Sequence, residues 1–216
     1  MTADNVLLIL SGLPWTIALT LGSFGIGCIL GVPLLAARSA RFALIRWLAA
    51  LLIQIVRAPP PPILWLFIIF FGIGMGIMPI NPFVAALIGL GLIASANMAE
   101  IYRGGALASL HHGQWEAATA LNFGTRYTLI DVVAPQAFRV ALPSAASYLI
   151  GLMKETAVAS TIGVADLAFR GNQVSQLTFK GIEVFALVGL FYIFLSLPVA
   201  WLSRSADSYL RAKVAR

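Results

Sequence analysis

The sequence predicts an all-α integral membrane protein with about five transmembrane helices. Of its 216 residues, 60% are hydrophobic and only 10% are charged, and the mean hydropathy is +0.94. A soluble domain carries about 25% charged residues, so this chain has too few charges to cover a globule in water. Its apolar runs are long enough to cross about 30 Å of hydrocarbon, and short polar segments separate them. The outer surface is therefore expected to face lipid.

The net charge and the cysteine count narrow the class further. The charge is +6, but the basic residues are scattered between apolar runs, which is typical of orientation signals at a membrane surface rather than of nucleic-acid binding. The single Cys28 lies in an apolar run, which excludes an intrachain disulfide and a cysteine metal site. The first apolar run has no charged leading segment and no small-residue cleavage site, so we expect a retained span.

The first two predicted spans differ in continuity. No charged residue occurs over 6–37, which is enough for one helix across the bilayer. Gly27 and Gly31, four residues apart, allow a neighbouring helix to approach closely. The second span covers about 48–78 and is interrupted by "RAPPPP" (57–62), whose prolines lack amide donors. We expect non-helical backbone there, lying against protein or a water-filled cavity.

The remaining spans follow a short turn at "PINP" (79–82). The third is expected over about 83–108, the fourth over about 140–164 and the fifth over about 184–202. With five spans the two termini lie on opposite sides of the membrane.

The basic residues predict the orientation. On one side of the predicted membrane lie Arg38, Arg41, Arg46, Arg126, Arg139, Arg204, Arg211, Lys213 and Arg216. Only Arg170 and Lys180 fall on the other side. Because positive residues accumulate on the cytoplasmic side, we expect the amino terminus outside and the carboxyl terminus in the cytoplasm. Residues 206–216 then form a basic cytoplasmic tail.

A polar, alanine-rich patch interrupts the apolar chain between the third and fourth spans, at "GQWEAATALNFG" (113–124). Its residues 114–121 favour helix, although a helix of about eight residues is only marginally stable alone. Asn122 is expected to end this helix, because Asn tolerates the left-handed conformation. A second short helix is expected over 125–133, ended by Pro135. We interpret the pair as a cytoplasmic docking element that needs a partner surface.

The same segment resembles the EAA loop of ATP-binding-cassette (ABC) importer permeases. The signature of that loop is Glu-Ala-Ala, three residues, Gly, nine residues and then Ile-x-Leu-Pro. The positions that match without gaps are Glu116, Ala117, Ala118 and Pro135. Asn122 stands for the glycine, Val132 for the isoleucine and Ala134 for the leucine. Asn keeps access to positive φ, and the other two are smaller apolar residues.

The resemblance covers about 12–205, which it implies to be the transmembrane domain of an ABC transporter (type 1). Segments similar to the polar amino acid subfamily of these permeases follow in the same order and spacing: "AEIYRGG" (99–105), "GQWEAA" (113–118), "APQAFRVALP" (134–143) and "LMKETAVASTIG" (152–163). "VRAPPPP" (56–62) resembles the Arg-Gly-Thr-Pro segment of that subfamily, with two additional prolines. Several motifs in register make the resemblance specific.

The resemblance implies the permease subunit of a type I ABC importer for amino acids, multi-pass in the bacterial cytoplasmic (inner) membrane. The implied partners are two ATPase subunits docked on the EAA loops, a second identical or homologous permease subunit, an extracytoplasmic solute-binding protein and an amino acid substrate. The residues implied in coupling to the ATPase are Gly113, Gln114, Glu116, Ala117, Ala118, Asn122 and Pro135. The two permeases would enclose the substrate pathway and work by alternating access.

The chain itself is expected to be no enzyme. It contains no Walker A pattern, so ATP and Mg are expected to be used by the partner ATPase. We expect this chain to bind no cofactor and no metal.

Ionisable residues inside the spans are candidates for the substrate pathway, because charges in a membrane are costly. Glu100 and Arg103 are three residues apart on one helix face and either contribute to the pathway or stabilise the helix end at the cytoplasmic mouth. Lys154 and Glu155 are adjacent and point about 100° apart. They either bind the ammonium and carboxylate of an amino acid or hold helices in register.

Three further polar residues complete the candidate pathway. Arg57 before the prolines either binds a substrate carboxylate or satisfies carbonyls that the prolines leave without helical partners. Asn97 and Ser147 are expected at helix interfaces, where hydrogen bonding between helices is the simpler explanation.

Other protein classes fit the sequence less well. His112 and Glu116 have a spacing suited to two metal ligands on one helix, but beyond His111 no further ligand lies near in sequence. A secondary transporter or channel for small polar solutes, working without ATP, explains the spans and buried charges but not the EAA-like segment. A scaffold has no need of charges in mid-span. Which amino acid or opine is carried stays open, as does whether the permease pair is a homodimer.

Overall fold

The computed structural model describes residues 2–58, 61–73, 80–109, 117–118 and 120–212. Every regular element in these ranges is helical, which confirms the predicted all-α class. The α-helices are α1 (Ala3–Leu10), α2 (Leu13–Arg38), α3 (Ala43–Arg57), α4 (Pro61–Phe67), α5 (Pro82–Ser109), α6 (Ala134–Glu155), α7 (Leu167–Thr178) and α8 (Gly181–Ala212). Shorter elements are a helical turn at Thr125–Tyr127, π-helical segments at Ile68–Ile73 and Thr128–Val133, and a 3-10 segment at Thr156–Ile162.

Within the described residues, three helical runs are long and apolar enough to cross a membrane: Ala3–Arg38, Pro82–Gly105 and Gly181–Ser205. They correspond to the predicted first, third and fifth spans. The second predicted span is divided into shorter helices. Helix α6, which overlaps the fourth predicted span, carries Arg139, Lys154 and Glu155. The number of five spans, the orientation and the domain limits of 12–205 and 206–216 stay predictions. The last helix, α8, continues to Ala212.

The centre of the fold is the packing of α2 along α5, and α5 also contacts α3, α4 and α6. Glycines allow the close approach. A Cβ atom at Gly27 would lie 2.6 Å from the Ala94 Cβ, and one at Gly31 would lie 2.9 Å from the Met98 Cβ. The prediction that these glycines admit a neighbouring helix is confirmed. Leu19, Leu90 and Ala94 are buried at this contact with no solvent exposure.

The first predicted span is not one continuous helix. It breaks at Ser11 and Gly12 between α1 and α2. A Cβ atom at Gly12 would lie 2.5 Å from the carbonyl carbon of Asp166, so the break lets another segment of backbone cross the chain at this point. The apolar composition of 6–37 gives no sign of this crossing, because the contact is long-range in sequence.

The proline segment breaks the second span as predicted. Helix α3 ends at Arg57, Ala58 is extended, and α4 begins at Pro61. The indole Nε1 of Trp65 donates a hydrogen bond to the Val56 carbonyl at 3.1 Å. A tryptophan from the following helix therefore satisfies a carbonyl at this break, the role that the sequence suggested for Arg57.

The prediction that Pro135 ends a short helix is wrong. The turn at Thr125–Tyr127, the π-helical segment at Thr128–Val133 and α6 follow one another without interruption. Pro135 lies in the first turn of α6, where its missing N–H costs little. The fourth predicted span, 140–164, accordingly begins earlier and changes to 3-10 geometry after Glu155.

Helix α7 was not predicted. Asp166 precedes it and its Oδ1 accepts a hydrogen bond from the Phe169 N–H at 2.8 Å, which is a side-chain cap of the helix amino terminus. Leu167, Gly171 and Val174 are the buried residues of this helix. An acidic residue directly before "LAFR" is the signal by which the sequence indicates this helix.

Candidate functional site

The described part of the predicted docking element is a short helical segment closed by a left-handed turn. Ala117 and Ala118 are helical, and Ala118 is buried while Ala117 is exposed. The Phe123 N–H donates to the Ala118 carbonyl at 2.9 Å, and Asn122 has φ 56°. The prediction that Asn122 ends the segment in the left-handed conformation is confirmed. The predicted coupling residues Gly113, Gln114 and Glu116 lie outside the described residues.

After the turn, the chain is fixed to the rest of the fold. The Thr128 N–H donates to the Gly124 carbonyl at 3.0 Å, and the Thr128 side chain is buried. The rings of Phe123 and Tyr127 lie 4.8 Å apart between centroids. Further along, a Cβ atom at Gly105 on α5 would lie 2.6 Å from the Ala137 carbonyl oxygen on α6. The segment after Asn122 is thus continuous with a helix packed directly on α5.

Glu100 is the centre of a small charge cluster. The Arg103 Nε donates to Glu100 Oε2 at 2.8 Å, and an Arg103 terminal nitrogen lies 2.7 Å from the same oxygen. Arg38 at the end of α2 lies 3.9 Å from the other carboxylate oxygen. The Glu100 side chain is 16% exposed, so two cations compensate a mostly buried carboxylate. The predicted pairing of Glu100 with Arg103 is confirmed.

A polar cavity of about 390 Å³ lies beside this cluster. Its lining is Arg57, Asn97, Glu100, Ile101, Gly104, Gly105, Val140 and Ser144. The cavity brings together three residues that the sequence singled out, Arg57, Asn97 and Glu100. It presents a cation, an anion and an amide in one place, which are the groups that an amino acid or another small zwitterion requires. A second cavity, of about 590 Å³, is mainly apolar and lies between α2, α5 and α6.

The other sequence candidates lie outside this lining. Lys154 is exposed at the end of α6, and Glu155 is half-buried, with an Oε2 atom that has no hydrogen-bond partner among the described residues. The different exposure of the two agrees with their expected divergence around the helix. Ser147 is exposed on α6 in the single chain, so its expected place at a helix interface stays a prediction. Their roles in a substrate pathway stay predictions.

Asn97 joins two helices, as expected. Its Nδ2 donates to the Ile93 carbonyl at 3.0 Å and to the Tyr148 hydroxyl on α6 at 3.4 Å. Tyr148 and Ser144 could not be identified from the sequence, because which face of α6 meets α5 depends on the rotation of the helix. The possible metal ligands His112 and Glu116 lie outside the described residues, and within those residues no cluster of His, Cys, Asp and Glu suits a metal.

Three features are typical of a membrane transport subunit: an apolar helical fold, a cavity lined by charged and amide groups, and an exposed segment that continues into a helix of the cavity wall. The family described as "Binding-protein-dependent transport system inner membrane component" matches residues 23–211, and the chain belongs to this family. The membership predicted from the EAA-like loop is confirmed.

Individual proteins similar to this chain are consistent with membership of this family. The chain is 33% identical over 184 residues to the "Probable amino-acid ABC transporter permease protein YckA" of Bacillus subtilis (strain 168), covering 85% of this chain and 80% of the relative. It is 31% identical over 212 residues to the "Arginine transport system permease protein ArtQ" of the same strain, covering 98% and 96%. A crystal structure of "an amino acid ABC transporter with histidines" matches with a TM-score of 0.88 at 28% identity, covering 97% of this chain and all of the other.

Proposed function

We propose that this chain is the permease subunit of an ATP-driven, binding-protein-dependent ABC importer that carries amino acids across the bacterial inner membrane. Two copies, or one copy and a homologue, enclose the pathway. Two partner ATPase subunits bind and hydrolyse ATP with Mg, and an extracytoplasmic solute-binding protein delivers the substrate. The amino terminus lies outside and the 206–216 tail in the cytoplasm.

One observation carries the coupling mechanism. The helical run that follows Asn122 continues without a break into α6, and α6 contributes Val140 and Ser144 to the wall of the polar cavity. A displacement of the exposed end therefore moves the cavity wall as part of one stiff element. ATP-driven closure of the partner subunits is converted in this way into a change of access to the cavity.

The residues of the cavity divide the recognition of an amino acid between them. Arg57 is the donor for the substrate carboxylate, because a guanidinium binds carboxylates through two parallel hydrogen bonds. Glu100 is the acceptor that faces the ammonium, and its charge is held in place by Arg103 and Arg38. Asn97, whose Nδ2 donates to Ile93 and Tyr148, offers its Oδ1 as a second acceptor for the ammonium.

The coupling surface consists of the residues that the family resemblance carries over: Gly113, Gln114, Glu116, Ala117, Ala118, Asn122 and Pro135. Two observations support this proposal: Ala117 is exposed, and Asn122 adopts the left-handed conformation that turns the chain. Ala118 is buried, and Ala117 and Ala120 are small exposed residues that a groove of the ATPase can cover. The rival class, a secondary transporter or channel, is set aside because the chain belongs to a binding-protein-dependent transport family.

Disulfide crosslinking tests the coupling surface. In a Cys28→Ser background, Ala117→Cys is paired with cysteines placed along the groove of the co-expressed ATPase subunit. We expect Ala117→Cys to form a crosslinked permease–ATPase band whose yield changes when ATP is added. The control is Gln176→Cys, an exposed residue on α7, which lies on the predicted opposite side of the membrane and is expected to give no band. Absence of any Ala117→Cys crosslink in an assembled complex overturns the coupling mechanism.

A further inference from the structure

The apolar cavity differs in chemistry from the polar one. Its volume of about 590 Å³ is within the usual range for ligand sites, about 300–1,000 Å³. Its described lining comes from α2, α5, the π-helical segment at Thr128–Val133 and α6, and Tyr102 is the one residue of this lining with a polar side chain. The Tyr102 hydroxyl already donates to the Cys28 carbonyl at 3.3 Å. The cavity therefore suits an apolar ligand rather than an amino acid.

The cavity opens at the surface of the chain. Three of its lining residues are more than half exposed, namely Val32 at 56%, Ile130 at 54% and Phe138 at 60%. Exposed apolar residues at the flank of a membrane protein face lipid, whose tails are as apolar as leucine. An empty apolar space forfeits dispersion contacts with its walls. The acyl chain of a neighbouring lipid is therefore the apolar molecule best placed to fill it.

Ala134 leaves room at the wall of this cavity. It is one of the lining residues and is exposed. The EAA signature has leucine at this position, where this chain has alanine. The additional carbon atoms of a leucine side chain would occupy part of the cavity. The departure from the signature therefore coincides with space for a ligand.

The directions of the helices place the cavity at one end of the fold. The glycine contacts of α2 advance along α2 and α5 together, so these two helices run parallel. Asn97 on α5 bonds Tyr148 on α6. Gly105, later in α5, lies beside Ala137, earlier in α6, so these two helices run antiparallel. The carboxyl ends of α2 and α5 and the helical run that leads into α6 therefore share one end of the fold, which is the predicted cytoplasmic end.

Arg126 lies at this end, beyond the apolar lining. It precedes Ile130 by four residues, about one helical turn. It is exposed and forms no ion pair within the described residues. The acidic residue of the run from 125 to 139 is Asp131, and its basic residues are Arg126 and Arg139. This run therefore has an excess of positive charge.

Arg38 brings a second cation to the same end of the fold from α2, where it follows Leu35 of the cavity lining by three residues. Arg38 and Arg103 together compensate one carboxylate, that of Glu100, so their cluster also keeps an excess of positive charge. Basic residues on the cytoplasmic side of a membrane attract anionic lipid headgroups. An apolar cavity with cations at its cytoplasmic end is therefore complementary to a lipid with a negative headgroup.

We propose that this cavity binds an acyl chain of an anionic phospholipid from the cytoplasmic leaflet, whose phosphate faces Arg126 and Arg38. The tail fills the space beside Ala134. The headgroup charge provides the selectivity, because every membrane lipid can supply a tail. Ile130 and Val133 belong both to the cavity wall and to the run that joins the coupling segment to α6. A bound lipid supports this run during coupling, a consequence that rests on the proposed function.

Native mass spectrometry of the purified full-length chain, offered equal amounts of phosphatidylglycerol and phosphatidylcholine, tests the headgroup. The wild type should retain phosphatidylglycerol in preference. Arg126→Gln should lower this preference about fivefold, the effect of one cation at a membrane surface, and Asp131→Asn should raise it. The control is Arg204→Gln, which removes an exposed cation on the same predicted side from α8, a helix outside the described lining. It should keep the wild-type preference.

A matched pair of leucine substitutions tests the tail. Ala134→Leu introduces the residue of the family signature, so the fold should be kept while the retention of both lipids falls. Ala186→Leu makes the same change at an exposed position of α8 and should retain lipid as the wild type does. The inference is overturned if Ala134→Leu retains lipid like the wild type, or if Arg204→Gln lowers the preference as much as Arg126→Gln. It is also overturned if Ala134→Leu alters only self-association, because the cavity then seats a second copy of the chain.

A second experiment measures substrate-stimulated ATPase activity of the assembled transporter in nanodiscs of phosphatidylcholine with and without phosphatidylglycerol. Phosphatidylglycerol should raise the activity of the wild type and of Ala186→Leu, and raise that of Ala134→Leu less. An equal response of all three overturns the consequence for coupling. If lipid is retained as expected but no ATPase assembles with the chain, the proposed function fails and the lipid site stands. If the complex transports normally while Ala134→Leu and Arg126→Gln leave lipid retention unchanged, the lipid site fails and the function stands.

Discussion

At the scale of single residues, the closest helix contact depends on the absence of a side chain. Gly27 allows α2 to reach the backbone of α5, with a notional Cβ 2.6 Å from the Ala94 Cβ and 2.9 Å from the Ala94 carbonyl carbon. These neighbours belong to a buried helix and cannot move as the end of a flexible side chain would. Inside a membrane, such contacts between small residues supply packing energy that the hydrophobic effect does not.

Gly27→Leu should therefore destabilise the protein strongly. Overpacking costs about 1–3 kcal/mol where neighbours can shift, and here the backbone itself must separate. We expect a lower melting temperature and a reduced yield of folded protein in detergent. Gly25→Leu is the matched control, because nothing lies within 4 Å of a Cβ atom at Gly25. Equal stability of the two variants would contradict the contact.

The charge cluster shows how residue types acquire roles from their neighbours. Glu100 and Arg103 form a pair that the sequence spacing predicted, whereas Arg38 reaches the same carboxylate from the end of another helix. The Lys180–Glu183 pair has the same spacing, but both of its side chains are about half exposed. Exposed pairs contribute little to stability. Spacing alone therefore does not distinguish a functional ion pair from a solvated one.

At the scale of elements, the turn at Asn122 determines how the exposed helical segment meets the helix that follows. Its φ of 56° lies in the left-handed region, which costs most non-glycine residues about 1–2 kcal/mol and costs Asn less. A β-branched residue is the least suited to this conformation. The conformation at this position sets the direction of the segment relative to α6.

Asn122→Gly should preserve coupling, whereas Asn122→Val should weaken it. Glycine adopts positive φ without strain, so we expect substrate-stimulated ATPase activity of the assembled complex to be retained. Valine should reduce it several-fold, since the turn either stores strain or opens. The amount of assembled complex, measured in parallel, separates a coupling defect from an assembly defect. Full activity of Asn122→Val would show that the turn does not direct the segment.

Helix α6 contains two prolines without being interrupted by them. Proline is commonly read as the end of a helix, yet Pro135 lies in the first turn of α6 and Pro143 lies inside it. The first needs no N–H partner at that position, and the preceding π-helical segment continues the run. The mechanical connection between the exposed segment and the cavity wall follows from this continuity. A sequence interpretation in which every proline ends a helix would predict a break there.

At the scale of the whole molecule, the distribution of basic residues predicts which side of the membrane each segment faces. The predicted outer side carries α7, and the predicted inner side carries the coupling segment and the end of α8. Gln176 and Arg204 are exposed residues on these two sides. Gln176 lies on α7, which is predicted to be outside, and Arg204 lies near the predicted cytoplasmic end of α8.

Gln176→Cys and Arg204→Cys, each in a Cys28→Ser background, test this orientation in intact cells. A membrane-impermeant maleimide should label Gln176→Cys from outside, and it should label Arg204→Cys only after the membrane is permeabilised. Cys28→Ser without an added cysteine provides the background signal. The reverse labelling pattern would place the amino terminus in the cytoplasm and the coupling segment outside, where no ATPase is available.

The sequence by itself determined the class of protein, because composition and long apolar runs allow few other surfaces. It determined the approach of helices at Gly27 and Gly31, the break before Pro61 and the left-handed turn at Asn122, since each depends on local backbone preferences. Only the tertiary structure decided that the Trp65 indole donates to the Val56 carbonyl, that Arg38 approaches Glu100, and that the Thr16 hydroxyl accepts from the Leu167 N–H. These contacts join positions distant in sequence. Their existence depends on how each helix is rotated and where it crosses its neighbours, and no local preference encodes either.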